Sequence, residues 1–200
     1  MNEDVAGVIL AAGESSRLGK PKQLLKWQGD TLLNNTIRIA LESNLNPVIV
    51  VLGAFYREIK ESLLITDRVR VVRNLAWKKG QSTSLIAGIN ALENYETSLV
   101  YMLCDQPLIT SEFISKIVAK GKFTGADVVM LRTNGKRTPP VLFSNRCFDR
   151  ILSLKGDKGA RDIVDEFSIE YLENNDAMLN ADIDTDQDYQ KFLNKNSHSQ

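Results

Sequence analysis

Apolar and polar positions alternate along this chain with two different periods. Residues 5–11, 47–52, 69–72, 98–103 and 126–131 are short, β-branched or aliphatic runs of a length that suits buried strands. Helical spacing separates them. In residues 31–43, Leu32, Leu33, Thr36, Ile37, Ala40 and Leu41 share one side. Residues 54–64, 82–92 and 111–120 read as further helices, the last with Thr110 as its N-cap. The order βαβαβαβαβ predicts a mostly parallel sheet with helices on both faces, a Rossmann-like three-layer α/β/α domain. After residue 132 the pattern changes. Residues 134–140 read as a loop, 141–143 as a short strand outside the parallel set and 145–154 as a helix. A glycine-bounded turn at 156–161 opens a helix to about Phe167, residues 169–172 are a strand and 186–193 a closing helix. No repeat or linker breaks the chain, so residues 1–194 are expected to form one domain. Residues 5–130 would be its core, 131–185 an elaboration on the substrate side, and 195–200 a polar tail.

Composition narrows the function. The chain has 200 residues, 43% hydrophobic and 25% charged, with a net charge of zero, which disfavours general nucleic-acid binding. No apolar run approaches the roughly 18 residues that span a membrane. The start, Met1-Asn2-Glu3-Asp4, has no signal-peptide pattern. Cys104 and Cys147 lie far apart and read as free thiols, so a cytoplasmic location is expected. The single histidine, His198, falls in the polar tail. A Ser-His-Asp triad is thereby excluded, and a histidine-based zinc site has almost no material. Chemistry must run on carboxylates, Lys, Arg and backbone amides.

The densest chemistry follows the first strand. Residues 8–25 pass from an apolar run through Ala11, Ala12 and Gly13 into a turn-rich loop carrying Arg17, Lys20 and Lys22, the layout of a phosphate-binding loop at a strand's carboxyl end. It is not a P-loop: five residues separate Gly13 from Gly19, and Pro21 stands where a magnesium-binding hydroxyl would be needed. The dinucleotide fingerprint GxGxxG is also absent.

Leu10-Ala-Ala-Gly-x-Ser-x-Arg17-x-Gly-x-x-Lys22-x-Leu-Leu25 resembles the signature of the MobA-like nucleotidyltransferases. Gly80-Gln81-Ser82-Thr83-Ser84-Leu85, Cys104-Asp105-Gln106-Pro107-Leu108, Gly156-Asp157-Lys158-Gly159-Ala160-Arg161 and Asp182-Ile183-Asp184-Thr185-x-x-Asp188 extend the likeness in the family's order. Within that family the set is most similar to molybdenum cofactor cytidylyltransferases. The resemblance implies transfer of a cytidylyl group from CTP to the phosphate of a molybdopterin-type cofactor, with release of pyrophosphate. An acceptor phosphate is already anionic, so a site without histidine suffices, and positioning and charge stabilisation are what remain to be supplied.

The same resemblance implies roles. Leu10, Ala11, Ala12 and Gly13 would border the nucleotide, and Arg17 and Lys22 would balance the triphosphate's charge, whereas Lys20 matches less well. Gly80 and Ser84 would meet the base. Asp105 would bind Mg²⁺ with a second ligand from the 182–184 segment, Asp182 preferred over Asp184; their period-two spacing points both side chains the same way. Lys158 and Arg161 would hold the acceptor. The Ala-Ala-Gly loop goes with CTP, and Ala-Gly-Gly with the guanylyl branch. Ile86 and Thr138-Pro139-Pro140 depart from the family pattern, which leaves the acceptor open. GTP as donor, a sugar or polyol phosphate as acceptor, a cofactor-carrying chaperone and a regulatory nucleotide-binding domain stay as alternatives. A molybdoenzyme recipient and a monomer or weak homo-oligomer complete the expectation. Cys104, Trp27 and Trp77 read as packing residues.

Overall fold

The computed structural model describes residues 4–93, 98–156 and 158–197, so Asp157 and His198 lie outside the described residues. Seven strands form one sheet: β1 (Ala6–Ala11), β4 (Val48–Leu52), β5 (Val69–Arg73), β6 (Leu99–Leu103), β7 (Val128–Thr133), β8 (Lys136–Phe143) and β9 (Ile169–Asn174). A small hairpin, β2 (Lys26–Trp27) and β3 (Asp30–Thr31), stands apart from it. The order across the sheet is β5-β4-β1-β6-β8-β7-β9. All neighbours are parallel except where β8 inserts antiparallel between β6 and β7. From β1 the chain builds outward to β4 and β5, then returns to the other side of β1 with β6. Strand order therefore reverses between β1 and β6, and a crevice opens outside their carboxyl ends.

Alternation along the strands separates two cores. Ile9, Val50, Val100 and Val129 face helices α1 (Leu32–Glu42), α2 (Tyr56–Glu61) and α4 (Ser111–Thr124). Val8, Leu10, Val51, Tyr101 and Met130 face α3 (Gln81–Asn90) and α5 (Phe148–Leu152). The α1 stripe is the expected one, with Leu33, Ile37 and Ala40 in the first core. Thr31 caps α1 by accepting from the Asn34 amide at 3.1 Å, and Thr110 caps α4 through the Phe113 amide at 3.4 Å. Helix α6 (Asp186–Ser197) closes a third cluster, in which Phe192 and Ile183 pack on Trp27 and Leu32. It continues past the expected end at residue 193 into the polar tail.

Two expectations about the second half are corrected. The loop expected at 134–140 is only a turn: Asn134 and Gly135 both have positive φ, 48° and 79°, which suits a two-residue hairpin, and β8 starts at Lys136. Pro139 and Pro140 stand at a break in register between β7 and β8, where no ladder N–H is required of them. The helix expected after Gly159 is instead two 3-10 turns, Ala160–Asp162 and Val164–Glu166. Ala160, Ile163 and Val164 are buried there against the second core, and that packing breaks regular helical spacing. No helix among the described residues is long and apolar enough to cross a membrane.

Candidate active site

The loop after β1 is held by side chains from its own sequence. Ser15 adopts positive φ, and its carbonyl accepts from the Leu18 and Gly19 amides. The Gln23 amide is buried and donates to the carbonyls of Ala11 at 2.8 Å and Gly13 at 3.0 Å. These bonds turn the backbone of residues 11–13 along one wall of a cavity of about 390 Å³. Leu10, Ala12, Gly80, Ser84 and Asp105 border the same cavity, so most of the nucleotide residues expected from the sequence converge there.

Lys22 lines the same cavity. Its ammonium donates to Asp105 Oδ2 at 2.6 Å, Asp184 Oδ1 at 3.0 Å and the Ile183 carbonyl at 3.2 Å. Burial alone would pull the lysine down, but the charge and hydrogen bonds of Asp105, with that of Asp184, hold it above its ordinary value. Arg17 donates to Asp184 Oδ2 at 2.7 Å from an exposed position, 68% accessible, and Lys20 pairs with Asp186 at the surface. Burial pushes Asp184 up, yet Lys22 and Arg17 outweigh it and hold the carboxyl below its usual range. The segment carrying Asp182 and Asp184 is anchored between them: Ile183 is fully buried, and its amide donates to the Asp105 carbonyl at 3.0 Å.

Asp182 and Asp184 thus meet different partners. Asp182 accepts from the Gln106 amide at 3.0 Å and borders a second cavity of about 220 Å³. Burial, followed by the charge of Asp105, raises Asp182 to about 6. Asp105 Oδ1 is buried without a hydrogen-bond partner. An orphaned carboxylate oxygen beside a second carboxylate, itself raised by the first one's charge, suits a hard divalent cation. The described residues hold no cluster of three metal-ligating side chains, so such an ion would complete its shell with water and phosphate oxygens.

Of the two residues expected to hold the acceptor, Arg161 borders the second cavity, whereas Lys158 is exposed and borders neither of the two cavities. Lys136 and Arg137 border that second cavity instead, brought there by the first half of β8, where residues 136–140 are expected as a loop and only 141–143 as a strand. Gly156 does other work: Ser82 Oγ donates to its carbonyl at 2.7 Å, tying it to the start of α3. Trp77, expected to be a packing residue, is half-buried and lines the first cavity. Trp27 is fully buried, edge-on to Phe192. Cys104 is buried too, and burial with the charge of Asp105 pushes its thiol up to about 12, as fits a packing role.

Two further residues carried no mark in the reading of the sequence. One is Gln23, inside the Lys-x-Leu-Leu motif. The other is Asn74, buried, which donates to Ser84 Oγ at 2.9 Å and Thr83 Oγ1 at 2.8 Å. Because the Ser84 oxygen accepts that bond, its proton is left to donate elsewhere.

A family model described as a MobA-like NTP transferase domain matches residues 7–173. The chain is 31% identical to the purine catabolism protein PucB of Bacillus subtilis, over 92% of this chain and 93% of that one. It is 29% identical to a probable molybdenum cofactor guanylyltransferase of Bacillus anthracis, over 88% of each. Its structure matches that of the Mycobacterium tuberculosis protein Rv0371c in complex with manganese, with a TM-score of 0.80 and 26% identity, covering 97% of this chain and all of that one. These likenesses support nucleotidyl transfer, and the name of the second relative points to guanylyl rather than the cytidylyl group expected from the Ala-Ala-Gly loop.

Proposed function

The chain belongs to the MobA-like NTP transferase family, and we propose that it transfers a cytidylyl group from CTP to the phosphate of a molybdopterin-type cofactor in a Mg²⁺-dependent reaction. The observation that carries the reading is the meeting of Lys22, Asp105, Asp182 and Asp184 where two cavities adjoin at the sheet's switch point. An oxygen of the acceptor phosphate attacks the α-phosphorus of CTP, the bond to the β-phosphate breaks, and pyrophosphate leaves. The attacking oxygen carries its charge already, so no residue has to remove a proton.

Each residue then has a physical task. Asp105 and Asp182 would hold Mg²⁺, which when bound supplies charge stabilisation to the phosphates. Lys22 keeps its positive charge in this setting and lies next to the triphosphate's place. Arg17 is exposed enough to exchange Asp184 for a phosphate. Ser84, with its oxygen occupied by Asn74, offers a proton to the base. Arg161, Lys136 and Arg137 give the acceptor cavity a positive rim above an apolar floor of Met130 and Val141.

The choice of CTP rests on Ala12, buried at the cavity wall, whose methyl narrows the space for a purine. The relative named as a probable guanylyltransferase favours GTP as the second reading. Pyrophosphate release, screened over CTP and GTP against molybdenum cofactor and polyol phosphates, separates these. Turnover with CTP and molybdenum cofactor is expected, with a loss of about a hundredfold or more in Asp105→Ala. Full activity in that variant would overturn the metal assignment, and equal turnover of both nucleotides would overturn the steric account.

A further inference from the structure

The two cavities share a wall, and the residue common to both that carries a polar side chain at the start of α3 is Gln81. Its amide nitrogen donates to the Tyr101 hydroxyl at 2.8 Å. Tyr101 lies on β6, 4% exposed, and borders the second cavity but not the first. A phenol whose oxygen accepts one hydrogen bond still has its proton to give. Burial, and next the charge of Asp105, push this phenol above its ordinary value, so it remains a neutral donor.

Gly156 and Gly159 both lie against the start of α3, around Gln81. Ser82 secures Gly156 to the start of α3. A Cβ at Gly159 would come within 2.9 Å of Gln81 Oε1, so the absence of a side chain there leaves room for the amide. Gly159 has φ −101°, a conformation open to any residue, so a side chain there would act by pushing the flexible end of Gln81 aside and not through the backbone angle. Gly159 thus leaves the Gln81 amide free to take the position from which it bonds Tyr101.

We infer that Gln81 and Tyr101 form an acceptor-orienting pair, in which Gln81 fixes the phenol so that its proton is donated, beside Arg161, to an anionic oxygen of the acceptor. This inference rests on the nucleotidyltransferase reading above. Tyr101 is then a specificity-determining contact, and Gln81, acting through it, is a positioning residue.

The test is steady-state pyrophosphate release with the full chain, CTP and Mg²⁺, and molybdenum cofactor freshly released from a purified molybdoenzyme as acceptor. Tyr101→Phe is expected to raise the acceptor KM roughly tenfold or more with the CTP KM unchanged. Gln81→Leu added to Tyr101→Phe should change the acceptor KM no further, since the two act as one unit. Should Tyr101→Phe not fold, Gly159→Ala decides: it displaces the Gln81 amide without touching the core, and a severalfold rise in acceptor KM is expected. An acceptor KM at the wild-type value in the deciding variant, or equal rises in both KM values, would overturn the pair alone. Absence of turnover by the wild-type chain with every nucleotide would overturn the underlying reading as well.

Discussion

Single residues in this protein act through the partners that burial gives them. Asp127 is an example away from the site. It precedes β7 and bonds the Ser168 hydroxyl ahead of β9 at 2.7 Å and the Ser144 hydroxyl after β8 at 3.2 Å, with Arg146 closing the group. Burial works against its charge, but Ser168 and Arg146 prevail and hold it below its ordinary value. A carboxyl depressed on folding contributes stability that is complete above its unfolded pKa and is lost as pH falls through the folded one. Urea unfolding of the wild type should therefore weaken more steeply than that of Asp127→Asn between about pH 5 and pH 2. Parallel profiles would show that the clasp adds nothing. At the site, Ala12→Gly removes the methyl that borders the cavity where we propose the nucleotide binds. The ratio of GTP to CTP turnover should rise severalfold, read from competition assays with both nucleotides present.

Among the elements, α3 carries the most consequence. It leans on β1 at Gly88, where a Cβ would overlap Val8 Cγ1, and so brings Gln81 and Ser84 close to the first strand's loop. Gly88→Ala should lower stability by about 1–3 kcal/mol through overpacking, seen as a lower urea midpoint with an unchanged slope. A midpoint at or above the wild-type value would mean that α3 can shift freely. Strand β8 shows how the first part of a strand escapes the sequence pattern. The Asn134-Gly135 turn signal was present in the sequence, but Thr138-Pro139-Pro140 masked the strand that follows. Prolines count against a strand only where a ladder N–H is needed, and a register break removes that need. For the same reason the sequence pattern gives no sign that Lys136 and Arg137 border the second cavity. In the 3-10 turns after Gly159 tertiary burial prevailed over helical propensity.

At the scale of the whole molecule, one crevice joins the cavity beside the first loop to the second cavity across Gln81 and Leu103, with Asp105 on one side and Asp182 on the other. Ligand that binds the folded state alone raises its stability by mass action. CTP with Mg²⁺ should raise the melting temperature of the wild type more than CTP with a chelator, and Asp105→Asn should erase the difference. An undiminished difference in that variant would place the metal elsewhere. The sequence by itself determined the α/β class, the first core's helices and strands, and the motifs that mark the family, because hydrophobic period, caps and short spacings are local properties. It also carried Lys22, Asp105, Asp182, Arg161 and the residues of the first loop. Only the tertiary structure decided that Lys22 meets Asp105 and Asp184, that Asn74 secures Ser84, that Lys158 stands outside both cavities, and that Gln81 bonds Tyr101 between them. Those pairings bring together side chains from distant elements. Which of them meet is set by how sheet and helices bury their apolar faces against one another, and no local spacing encodes that.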